Sequence, residues 1–166
     1  VAIVKYGMLL LALGGIYAAQ PQQSGPQSAT FPVSASIAKA RLQSAHRVVE
    51  GTGLGSLTLQ SMGADGKAAL VGITRAGQVR AILCRVMIEA EGADQSRATV
   101  DCAQPHGKYD PARAVAVKAM TIVVAEHVAA SVAQRPYDID TVANRMMVLV
   151  AGNVVLARAA MGQKPE

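Results

Sequence analysis

Cys84 and Cys102 are the only cysteines in the chain, and they close the segment CRVMIEAEGADQSRATVDC around a turn. Three chemistries are open to such a pair. A dithiol redox catalyst uses C-x-x-C spacing, which is absent here. A zinc site is commonly built from two close ligand pairs. Cys102 and His106 would make one such pair, with Cys84 or His127 as distant help, and a second is missing. A structural disulfide asks only that the fold bring the two residues face to face, and the strand register below does so. Neither a metal nor a cofactor is expected.

The remaining motif matches fail on context. Ser36-Ile-Ala-Lys39 has the S-x-x-K spacing of penicillin-recognising serine enzymes, but the S-D-N and K-T-G elements that complete that site do not occur. GTGLGS, with Gly51, Gly53 and Gly55, has the texture of a phosphate loop. That mechanism requires a strand before the glycines and a helix after them, and the order here is the reverse. His106 lies in CAQPHGKYD beside Lys108, Tyr109 and Asp110, between the strand-rich and helical parts. A hydrolase centred on His106 and Asp110 is therefore the enzymatic alternative, against the simpler assignment of a turn followed by a helix cap. Glu126 and His127 are adjacent on a helix and point about 100° apart, so they do not form a proton-transfer pair unaided. Glu126 is expected to meet Lys118 or Arg158, and His127 to reach the surface.

The N-terminal sequence VAIVKYGMLLLALGGIYAAQ carries one positive charge, Lys5, and then an apolar run from Tyr6 to Ala19. This is the layout of a secretory signal peptide spanning residues 1–19, and the run is short of the ~20 residues of a membrane-spanning helix. An uncleaved anchor, and with it a membrane-tethered structural subunit, is the alternative. Export places the protein in a periplasmic or extracellular compartment, where disulfides persist. The net charge of +5 falls to +4 without Lys5. Only Phe31, Tyr109 and Tyr137 supply aromatic rings after the leader, too few for the stacking platforms of single-stranded nucleic-acid binding. Nucleic acid is therefore excluded as a partner, whereas Lys39, Arg41 and Arg47 offer a basic surface to an anionic one.

The elements needed to position these residues are those of one α+β domain over residues 34–162: a helix, a four-stranded antiparallel meander and two helices packed on the sheet. Residues 20–33, rich in Gln, Ser and Pro, read as a flexible linker, and 163–166 as a tail. Ala38, Leu42, Ala45 and Val49 have helical spacing, with Ser34 or Ser36 as cap and Gly51 as stop. Turn signals at Asp65-Gly66, Arg75-Ala76-Gly77 and around Ala93 mark strands near 54–63, 67–74, 78–90 and 96–104. Those turns set Leu59 opposite Gly72, Ser61 opposite Leu70, Leu70 opposite Ile82, Ala68 opposite Cys84 and Cys84 opposite Cys102. One face then collects Leu57, Leu59, Leu70, Ile82, Cys84, Val86, Ile88, Val100 and Cys102. Asp110 followed by Pro111 starts the next helix, and a last one runs from Asp138 or Asp140 to about Met161. Both are apolar around most of their circumference and should be largely buried.

The second sheet face would carry Met62, Val71, Ile73, Val79 and Leu83. Either the first helix covers it, making three layers, or it is a surface for a protein partner or apolar ligand. Pairing of strand edges with another copy is a further route to assembly. The function expected is an exported binding module of unknown partner, with no catalytic activity inferred.

Overall fold

The computed structural model describes residues 27–78, 81–102 and 110–156; residues 1–19, expected to be a leader, lie outside them. The chain is α+β, in the order β1 (Gln27–Phe31), α1 (Ala35–Gln43), β2 (His46–Val49), β3 (Leu57–Asp65), β4 (Ala68–Arg75), β5 (Ile82–Ala90), β6 (Ser96–Asp101), α2 (Pro111–Ala133) and α3 (Ile139–Ala151). The strands form one antiparallel sheet of six, ordered β1-β6-β5-β4-β3-β2.

Two strands were not expected, and each has a local cause. β1 falls inside the tract assigned to the linker. Its Ser28 and Thr30 face solvent partners, Thr99 and Glu91, while Phe31 is buried, so it covers the edge that β6 would otherwise expose. β2 takes the second half of the expected first helix. Ser34 does cap α1, accepting from the Ile37 amide. Ser44 ends it by donating to the Ala40 and Arg41 carbonyls, and the β-branched Val48 and Val49 continue as a strand paired with β3.

The meander departs from its expected register at β4. The turn residues are Gly66 and Lys67, with Asp65 opposite Ala68, and Met62 and Gly63 bulge opposite Leu70. Leu59 consequently faces Ile73, and Ser61 faces Val71. Across the next pair Val71 faces Cys84 and Leu70 faces Arg85. β4 therefore turns Ala69, Val71 and Ile73 to the core cluster and Ala68, Leu70 and Gly72 to the other face, where Ala68 is also buried. The physical reason is volume: two β-branched side chains fill a layer that alanine, leucine and glycine would leave underpacked. The β5–β6 register is the expected one, with Val86 opposite Val100 and Glu89 opposite Arg97. Cys84 and Cys102 form a disulfide with Cα atoms 4.1 Å apart.

All three helices lie on one side of the sheet. α1 buries Ala38 and Leu42 against β3, β5, β6 and α2, and α2 lies against β1 and β6. α1 therefore does not cover the second sheet face, and there are two layers, not three. Asp110 caps α2 through the Ala112 amide, and Asp138 caps α3 through the Thr141 amide and hydroxyl. α2 is long and apolar enough to cross a membrane, but 61% of its apolar stretch is buried within the fold, as in a core helix. α3 packs chiefly on α2 through Val142, Met146 and Leu149.

Candidate functional site

The β4 register changes the surface expected on the sheet. Val71 and Ile73 are buried in the core and cannot belong to an exposed patch, and Val79 lies outside the described residues. Met62 and Leu83 do lie on the open face, 46% and 45% exposed. Gly72 seats the first of them: a Cβ there would come within 2.5 Å of Met62 Cγ, so the thioether lies over bare backbone. The patch is narrower than expected, and Arg85, Met87 and Glu89 continue the same face.

α3 carries a second apolar surface. Because it packs chiefly on α2, its outward side is open, contrary to the expectation of a largely buried helix. Met147, Val148 and Val150 point out from α3, and Val154 and Val155 continue beyond its end, with Met147 at 68% and Val155 at 70% exposed. Spacings of three, four and seven residues put these side chains on one stripe.

Between the end of α1, the start of β2 and the end of α2 lies a polar cleft of about 330 Å³, lined by Arg41, Ser44, His46, Arg47, Ser131 and Arg135 among others. The expected basic face of one helix is thus divided. Lys39 stays on the outside of α1, while Arg41 and Arg47 converge from a helix and a strand. Arg41 donates to the Val132 carbonyl at the end of α2, and the Arg47 guanidinium stands 5.6 Å from the Tyr137 ring centroid. Glu126 pairs with Arg135, not with Lys118 or Arg158. Its carboxylate accepts both terminal nitrogens of Arg135, at 2.5 and 3.0 Å, and the Asp138 amide at 2.8 Å. That fork joins the end of α2 to the start of α3.

His127, expected at the surface, is fully buried, and no protein group bonds either ring nitrogen among the described residues. Burial, then the charges of Arg47 and His46, bring its pKa down from the ordinary 6.5 to about 4. Burial and the Glu126 carboxylate push the Tyr137 phenol up, with Arg47 opposing, and the phenol donates to the Val123 carbonyl at 3.2 Å. The Asp138 carboxyl is held down by the hydrogen bonds of its cap on Thr141. Three further polar atoms, Arg47 Nε, Ser96 Oγ and Ser131 Oγ, are buried without a partner among the described residues, and the residues of the first and last line the cleft.

For chemistry, the arrangement has little to offer where it was sought. Asp110 is engaged as the cap of α2, and His106 lies outside the described residues. The cysteine sulfurs are bonded to each other and are not thiolate ligands. Among the described residues, no group of three or more His, Cys, Asp or Glu side chains could hold a metal ion. Sequence reasoning missed the cleft because it assigned β2 to a helix; the signal available was the Val48-Val49 pair. It missed the burial of His127 although valines and alanines surround it on every side of the helix. Comparison of the chain with protein-family models, curated proteins and solved structures finds no match.

Proposed function

We propose that this chain is an exported binding module that acts by burying an apolar surface against a protein partner. The observation that carries this reading is the outward stripe on α3, Met147 to Val155, on a helix already anchored by its other side. Contiguous exposed apolar surface of this kind marks interaction sites. The stripe is convex, with anchors spaced three, four and seven residues apart, so it fits the apolar groove of a protein better than it encloses a small ligand. The excess of basic residues speeds encounter with an acidic groove rim. The disulfide suits an oxidising compartment and weakly favours export. The hydrolase alternative is disfavoured because Asp110 already serves as a helix cap.

Titration with bis-ANS, a probe of exposed apolar surface, tests the stripe. The native protein should enhance its fluorescence. The double variant Met147→Glu, Val155→Glu should lose most of that enhancement with little change in unfolding midpoint, since both side chains are largely exposed. A native protein that ignores the probe would remove the basis for the reading. Intact mass of the exported protein tests the compartment: a chain beginning near Ala19 or Gln20 is a released module, whereas one retaining its leader in the membrane fraction is a tethered subunit.

A further inference from the structure

The cleft between α1, β2 and α2 has the make-up of an anion site, and it stands apart from the α3 stripe. The described residues lining it include three arginines and a histidine, and no carboxylate. Glu126 balances one of those arginines, Arg135. Neither Arg41 nor Arg47 has a carboxylate partner among the described residues. Two positive charges therefore face the same space, at a separation fixed by the packing of a helix against a strand.

Two buried donors make this a built site. Ser131 is 9% exposed and lines the cleft, and its Oγ has no hydrogen-bond partner among the described residues. Arg47 Nε is likewise buried and without a partner among the described residues, and Arg47 lines the same cleft from β2. A donor left in this condition costs on the order of 1–3 kcal/mol, and a bound acceptor relieves it. Three of the last four carbonyls of α2 already have donors: Arg41 bonds that of Val132, and the Gln134 and Arg135 amides those of Ser131 and Ala130.

Arg41 enters from α1, Arg47 from β2 and Ser131 from α2, three separate elements. A planar carboxylate meets one guanidinium side-on, whereas a tetrahedral group presents oxygens to three donors at once. A phosphate monoester carries about −1.5 to −2 at neutral pH, matching the two arginines without a carboxylate partner. The geometry points to a binding site for the phosphate group of a phosphate monoester, held by Arg41, Arg47 and Ser131. His127, one turn before Ser131 on α2 and within reach of the Arg47 charge, stays neutral and leaves the positive charge of the site to the arginines.

The test uses the full exported chain and inorganic phosphate, titrated at constant ionic strength against chloride and followed by backbone amide shifts. Saturable shifts confined to residues around Ser44–Arg47 and Ala130–Arg135, absent with chloride, are expected. Ser131→Ala should weaken binding about fivefold, the loss of one neutral hydrogen bond, while leaving the helix intact, since alanine is the better helix former. Arg47→Leu should weaken it about tenfold or more, the loss of a charge-assisted bond. Arg85→Leu, on the open sheet face, should leave it unchanged. A second arm sediments the protein with phosphatidylcholine vesicles containing phosphatidic acid. Arg47-dependent binding there identifies a lipid headgroup as the source of the phosphate; binding of soluble phosphate alone identifies a small molecule. The inference is overturned by shifts no larger than with chloride, by saturable shifts elsewhere, or by a Ser131→Ala protein that binds phosphate as tightly as the parent.

Discussion

Reduction of the Cys84–Cys102 disulfide should lower the stability of the folded chain by about 3 kcal/mol, the chain-entropy value for a closed loop of this size. The two residues are 18 apart in sequence, and the bond removes from the unfolded ensemble the freedom of everything between them. The folded state has little else to lose on reduction. β5 and β6 are already paired along their length, so thiols would sit in the same layer. For a domain whose total stability is on the order of 5–15 kcal/mol, the loss is large, about 10 °C in unfolding midpoint. The measurement is urea unfolding of the oxidised protein, of the protein with reductant, and of the Cys84→Ala, Cys102→Ala double variant. The last two should coincide within the packing lost with the sulfurs, which are fully buried. An oxidised protein no more stable than the double variant would mean that the bond is structurally idle.

How far the fold can be read from sequence depends on how many signals agree at each element. The β5–β6 hairpin is legible because four signals coincide: a turn, an alternating apolar face, the cysteine pair, and opposite charges set across from each other, Arg85 against Asp101 and Glu89 against Arg97. Even there the ion pairs go elsewhere, Arg85 to Asp65 and Arg97 to Glu91, since exposed side chains select among near neighbours of similar energy. β4 is misread because Asp65-Gly66 signals a turn without specifying its centre, and a bulge then adds another residue. Alternation is blind to such a slip when both faces of a strand carry apolar residues, as Leu70 and Val71 do. β1 hides in a polar tract because an edge strand needs only Phe31 to anchor it.

The candidate surfaces follow the same rule. Met62 and Leu83 keep their expected exposure because β3 and β5 are in the expected orientation there, while Val71 and Ile73 move to the core with their strand. The cleft combines residues from α1, β2 and α2 that periodicity treats separately. Arg41 and Arg47 are visible as basic residues, but their convergence depends on a chain reversal at Ser44 and Ala45. Ser131 has no sequence signal at all. Its importance comes from where the end of α2 lies relative to β2, a tertiary relation that no local pattern encodes.

His127 should make the protein lose stability as the pH falls from about 6.5 to 4. Its folded-state pKa lies at about 4 and its ordinary value at 6.5, so between those limits the unfolded chain takes up a proton that the folded chain refuses. The contribution is present in full above about pH 6.5, falls progressively with acidification, and levels off below about pH 4. Its total is about 3 kcal/mol, of which about 2 kcal/mol is gone by pH 5. The cause is desolvation first: the ring is fully buried. Arg47 and His46, both on β2, then oppose a second positive charge nearby. Other groups titrate in the same range, so the informative quantity is the difference between wild type and His127→Leu, measured by urea unfolding at pH 7, 6, 5 and 4. Leucine fills a similar volume and carries no unbonded ring nitrogen, so the variant should be at least as stable at pH 7 and should gain on wild type steadily toward pH 4. Parallel stability curves for the two proteins would mean that the imidazole finds a proton acceptor or water in the folded state, and that it adds a positive charge near Arg47 in acid. In that case acidification would strengthen phosphate binding there; a ring that stays neutral leaves Arg41, Arg47 and Ser131 to hold it alone.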